Sequence, residues 1–371
     1  MSPKFLTSIG LTIVVLIVGS LNTLQVAAQI ETREVPLPLV TMVQPPRIEH
    51  PIPSVSMQRQ EEAEILLGRL LTESKLSDLD VTTYYRIQSF APVGTFVGGK
   101  FLGQHLDYPK LKYSPAFVRL VELGPDALPL LLEKLDDPTP TNLVITPDEF
   151  DGGGDIIFTA RLHGNPVNPL EQLHLGLINH EFKIYQENIY PDLDSYVVKL
   201  GDICLVIVGQ IVGRQYTVVR GAPDKEVNSP VENPQIAEKV RAIWSTENPH
   251  QRLLESLLLD FSTRGVLRRQ DSLDKWGVGQ RFQLGATKRM LFYFPDVGSK
   301  VIIQRADEFQ HFDDFFEQSV VNGVRIHDFI EAISWKKSNE IEELLERLNK
   351  IAKCENVIDA LARIRQRKEQ N

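Results

Sequence analysis

The chain has 371 residues, 42% hydrophobic and 24% charged, with a formal net charge of −9 and a pI near 5.5. That composition fits a folded globular protein with room for one large domain or a few ordinary ones. The acidic balance argues against a nucleic-acid binder, whose footprint is a basic stripe; the basic tail "RIRQRKEQN" reads as a solvated last helical turn.

The N-terminus reads as an export signal. Lys4 precedes the apolar run Ile9–Gly19, and the chain then turns polar and ends in small residues, with Val26 and Ala28 where a signal peptidase reads. The run is short of the ~20 residues of a comfortable membrane span. Residues 1–28 are therefore expected to be cleaved, leaving no stable membrane span and taking the net charge to −10 by loss of Lys4. The expected destination is the periplasm, cell envelope or exterior; retention of the signal as an anchor is the rival reading. Two cysteines, Cys204 and Cys354, are too few for a disulfide scaffold or a cysteine zinc site. Export would permit one bridge between them, whereas Cys204, inside an apolar run, also reads as a buried thiol.

Residues 29–57, with Pro36, Pro38, Pro45, Pro46, Pro51 and Pro53, read as a disordered proline-rich spacer. A single α-helical domain is expected over 58–371. Its first helix carries an apolar stripe of Ile65, Leu66 and Leu70, with Leu67 and Leu71 adjacent. The glycine-containing stretch from Tyr84 to Pro109 has no helical period. A helix follows with Ser114 as N-cap, Pro115 at the first helical position and Phe117, Leu120 and Val121 on its apolar face. Gly124 and Pro125 break it. Asp126 is expected to cap the next helix, which places Pro129 in its first turn, where a missing N–H is harmless. Ala127, Leu128, Leu131, Leu132 and Leu135 form the stripe, and Asp136-Asp137-Pro138 ends it.

Residues 139–200 fit this grammar poorly and read as an insertion. Two β-prone runs, Leu143–Thr146 and Ile156–Thr159, flank a glycine-rich acidic loop and suggest a small hairpin near 143–160. Gly201–Gly213 is apolar all round, which points to a central buried helix stopped by Gly213, with a buried strand as competitor. Beyond it, Asn233-Pro234 and Asn248-Pro249 repeat the cap-then-proline start. Their stripes are Ile236, Val240, Ile243 and Trp244, then Leu253, Leu254, Leu257, Leu258 and Phe261. Further stripes are Ile326, Phe329, Ile330 and Ile333; Ile341, Leu344, Leu345 and Leu348; and Ile358, Leu361 and Ala362. From about residue 229 onward the pattern is short helices joined by short turns, a helical-hairpin architecture.

The stretch "LVELGPDALPLLLEKLDDP" resembles HEAT/armadillo-type repeats, in which helix pairs stack into an α-α superhelix. The matching features are a first helix ending in Leu-Gly, an acidic residue and Ala opening the second, Pro129 early in it and a leucine stripe ending in Asp. Tyr293–Phe309 resembles a degenerate second copy, with Pro295 and Asp296 matching Pro125 and Asp126. The resemblance implies a mainly α fold of HEAT-like helix pairs and a protein–protein interaction surface, and it implies no catalytic residues.

Chemistry is sparse. There is no Gly-x-Ser-x-Gly elbow, phosphate loop or His-Glu-x-x-His motif. His163, His174 and His180 share one segment, but nothing in their spacing forces convergence on a metal. Asp148, Glu149, Asp151 and Asp155 could suit calcium on a flexible loop, although any exposed turn uses the same residues. Trp276, Phe292, Tyr293 and Phe294 read as core or as an aromatic platform. No catalytic, cofactor-binding or metal residue is assigned. The expected role is a scaffold for a protein partner outside the cytoplasm. An extracytoplasmic hydrolase-like enzyme with its site in 139–200, or a structural envelope component, are the alternatives.

Overall fold

The structure, a computed structural model, describes residues 41–42, 53–72, 90–93, 100–101, 104–105, 114–146, 156–165, 168–175, 181–184, 195–220, 225–264, 278–308, 326–351, 358, 361–362 and 364–366. All of them fall within one compact unit, Val40–Asn371. The proposed signal, residues 1–28, lies outside the described residues. So do Cys354, Trp276 and the four acidic residues of the 148–155 loop. Among the described residues no helix is long and apolar enough to cross a membrane.

The protein is mainly helical. Its helices are α1 (Met57–Leu70), α2 (Pro115–Leu123), α3 (Leu128–Glu133), α4 (Pro169–Leu175), α5 (Leu200–Val212), α6 (Pro234–Trp244), α7 (Pro249–Ser262), α8 (Val278–Tyr293), α9 (Pro295–Glu308), α10 (Ile326–Ile333) and α11 (Asn339–Ile351). The strands are short: β1 (Thr41–Met42), β2 (Lys100–Phe101), β3 (Gln104–His105), β4 (Pro140–Ile145), β5 (Ile156–Phe158), β6 (Ala160–His163), β7 (Glu181–Ile184), β8 (Tyr196–Lys199), β9 (Val219–Arg220), β10 (Lys225–Val227) and β11 (Thr263–Arg264).

Helix starts follow capping chemistry. The Ser114 hydroxyl accepts from the Phe117 N–H, and Asn233 and Asn248 accept from the N–H groups of Gln235 and Gln251, each with proline as the first helical residue. Asp126 departs from its expected capping role. Gly124–Asp126 continues as a 3-10 turn, the N-cap of α3 is Ala127 in helical conformation, and Pro129 still sits harmlessly in the first turn. The chain leaves helical geometry only at Gly124, before the 3-10 turn, and Ala127 is helical, so Asp126 is not an extended residue placed to cap α3. The buried Asp126 carboxylate instead accepts from the Ser56 N–H at 2.9 Å and meets Arg59 at 2.7 Å and His250 Nε2 at 3.1 Å. It thereby ties the start of α1 to α7.

The central element is α5. All thirteen of its residues are buried, and Gly213 ends it in the left-handed region at φ 75°. It packs against α2 and α3, and its C-terminal carbonyls take two buried guanidinium groups. Arg214 donates to the carbonyls of Val212 and Gly213, and Arg289 of α8 donates to that of Gln210 at 2.8 Å. Cations suit orphan carbonyls at the negative end of a helix. Cys204 is a free thiol buried in this helix, and burial pushes its pKa up.

At the other end of α5, Asp202 accepts from the Tyr196 hydroxyl at 2.6 Å and from the Lys199 N–H at 2.9 Å; Lys199 in turn pairs with Glu232. Burial, opposed by the Ser229 and Tyr196 hydroxyls, raises its carboxyl from 3.8 to about 6. A raised carboxyl favours the neutral form in the folded state, so its contribution is fully present below pH 3.8 and is lost as pH rises through about 6. Between pH ~4 and ~7.5, urea unfolding should show Asp202→Asn gaining about 2–3 kcal/mol relative to wild type. A pH-independent difference would contradict the buried carboxyl.

The insertion holds strands, but not the expected hairpin. β4 pairs antiparallel with β8, opposing Val144 to Val197, while β5 pairs parallel with β10. Ten residues separate β4 from β5, too long a connection to fix hairpin register. Side chains set other partners: the Thr141 hydroxyl donates to the Val198 carbonyl, and Asn228 Oδ1 accepts from Thr159 and Arg161. Inside the expected spacer, Thr41–Met42 pairs with Thr263–Arg264.

Where side chains are described, the helices bury the stripes read from sequence, with exceptions. Ile65 and Ile358 are exposed at 61% and 46%, and Ala362 is exposed. Ala63, Leu66, Leu67 and Leu70 form the buried face of α1, and Leu361 and Ile364 are buried near the C-terminus. Nor do consecutive helices after 229 all form hairpins. α6 packs on α3, α4 and β6, whereas α7 packs on α8, and α8 in turn on α9 and α10. Phe294 is core and the half-buried Phe292 and Tyr293 pack against it, with Phe90, Phe292 and Tyr293 in edge-to-face contacts near 5.2–5.5 Å.

Candidate functional site

A surface cleft of about 280 Å³ opens where the end of α3 meets the end of α6 and the start of α7. Pro129, Leu132, Trp244 and Pro249 give it an apolar lining, and Glu133, Arg241, Ser245 and Thr246 a polar one. Sequence grammar places each of these. Pro129 and Pro249 sit in first helical turns, Leu132 and Trp244 end the apolar stripes of α3 and α6, and Ser245 is the extended residue that closes α6.

Arg241 holds the two helices together. Its Nε donates to the Leu132 carbonyl at 2.8 Å, and one terminal nitrogen to the Glu133 carbonyl at 3.1 Å and to Asp136 at 2.6 Å. The other reaches the second Asp136 oxygen at 3.2 Å, a bidentate fork. The Arg241 hydrogen bond holds the Asp136 carboxyl below its ordinary value. Arg241 is thus spent inside the protein. The Glu133 carboxylate, by contrast, is exposed and has no ion-pair partner among the described residues.

Trp244 is fixed from behind. Its Nε1 donates to the Tyr216 hydroxyl at 3.2 Å, and Arg214 lies 5.9 Å from its ring centre. Arg214 is fully buried and donates to Glu171 at 2.6 Å and to both oxygens of Asp260, at 2.6 and 3.1 Å. Asn165, Asn168 and Ser256 complete the network on the same carboxylates and guanidinium. Burial works against the Arg214 charge, but Asp260 and Glu171 outweigh it and raise the guanidinium pKa; burial pushes the Glu171 carboxyl up, with Arg214 opposing. A charged cluster sealed from water can orient Trp244 and lock α4, α5 and α7, but it offers no access to a substrate.

The described histidines do not converge on a site. His163 ends β6, where it bridges to Gln215; His174 lies in the last turn of α4; and His180 lies outside the described residues. Among the described residues no three His, Cys, Asp or Glu side chains are placed to hold a metal ion. Sequence reasoning missed the cleft and the Arg214 network. One signal was present: an arginine directly after the stop glycine of an all-apolar helix has to be buried and therefore paired. Comparison with family models, curated proteins and solved structures finds no match.

Proposed function

We propose that this protein is an exported helical scaffold whose HEAT-like helix pairs bind a partner polypeptide outside the cytoplasm. The observation that supports this is the cleft between α3 and α6, at the end of the very helix pair whose sequence resembles HEAT repeats. Seams between stacked helices are where such scaffolds receive partners. The hydrolase alternative places its site in 139–200. Three polar groups of that segment, Asn165, Asn168 and Glu171, are buried in the Arg214 network, so they lend it no support.

The test is affinity capture from the extracytoplasmic fraction under mild crosslinking, with wild type and Thr246→Trp, which fills the cleft. The expected result is a polypeptide captured by wild type and lost from the variant. Absence of any captured polypeptide, or equal capture by both proteins, contradicts the reading.

A further inference from the structure

We infer that the cleft receives a lysine or arginine side chain of the partner polypeptide. This deepens the scaffold reading and rests on it. Two features of the cleft select the occupant. The first is charge: Arg241 pairs with Asp136, which leaves the exposed Glu133 carboxylate as the charged lining group without an ion-pair partner among the described residues. The second is size and lining. A cleft of about 280 Å³ lies below the usual range of about 300–1,000 Å³ for small-molecule pockets, so it suits one long side chain.

Lysine and arginine match this combination. Their methylene stems lie along apolar surface, as Pro129, Leu132 and Pro249 provide, while their heads seek carboxylates and hydroxyls, as Glu133, Ser245 and Thr246 provide. The net charge of −9 for the whole chain steers a cationic partner the same way over longer range. Acidic or neutral segments gain nothing from Glu133.

The experiment uses the full mature chain and saturation-transfer difference NMR, which detects weak contacts. The probes are capped pentapeptides with a central Lys, Arg, norleucine or Glu, flanked by alanines and terminal leucines. Lys and Arg peptides should bind in preference to the other two. Glu133→Gln should weaken them about fivefold, the scale of one partly exposed ion pair, and Glu133→Lys should reverse the preference toward the Glu peptide. Glu133 is exposed, so both variants should fold, which circular dichroism verifies. Equal signals from all four peptides, no signal from the basic ones, or indifference to both substitutions would overturn the inference. A polypeptide captured in the crosslinking experiment but insensitive to Glu133→Lys would also overturn it while leaving the scaffold reading in place.

Discussion

Replacing Arg214 with methionine is expected to destabilise the fold by about 3–5 kcal/mol in urea unfolding. The side chain is fully buried between Glu171 and Asp260, which are themselves 0% and 1% exposed. Without the guanidinium, two carboxylates share a cavity closed to water, and at least one must take up a proton or the cavity must open. The cost lies in the charges left behind rather than in the bonds lost. Adding Glu171→Gln and Asp260→Asn to Arg214→Met should therefore recover a large part of the stability, although each step removes hydrogen bonds. The Trp244 emission of the single variant should also shift, because its indole N–H donates to Tyr216 within the same cluster. A single variant that loses under about 1 kcal/mol would show that the cluster is wet or loosely packed.

Gly124→Ala should be the next most damaging change, at about 2–4 kcal/mol, because backbone strain and overpacking add. Gly124 has φ 58° and ψ −125°, a conformation open to glycine and closed to alanine. A methyl group there would also stand 2.4 Å from the Tyr293 ring, whose hydroxyl donates to the Val121 carbonyl. The glycine is thus where the α2–α3 turn lies against the last residue of α8, which joins the two segments that resemble HEAT copies. Gly124→Ala combined with Tyr293→Leu should relieve the clash and keep the dihedral strain, so thermal unfolding should recover only in part. Full recovery would mean that φ at this position costs nothing.

The elements legible in the sequence were those specified locally. A cap followed by proline gave the starts of α2, α6 and α7, because the bonds involved span two or three residues. Apolar residues on every face made α5 a buried helix. Partners far apart in sequence were not legible. The strand Pro140–Ile145 found Tyr196–Lys199 rather than Ile156–Phe158, because the pairing of short strands depends on which backbone the rest of the fold presents. Asp126 looked like a cap but closes a contact with Ser56 and Arg59 some seventy residues upstream and with His250 downstream. Ile65 fell off the stripe because Ala63 lies on the buried face instead, and a small residue contributes little to an apolar pattern. The candidate cleft draws its lining from residues 129–133 and 241–249, so no single window of sequence contains it.

The most direct test of the scaffold proposal is site-specific photo-crosslinking of the protein in the cells that make it. A photoreactive benzoylphenylalanine at Thr246 would sit in the cleft, and one at Glu64 on the exposed face of α1 serves as the comparison. A discrete crosslinked polypeptide at Thr246, absent at Glu64 and lost with Glu133→Lys, is the predicted result. No adduct at Thr246, or the same adducts at both positions, would contradict a partner seated in the cleft.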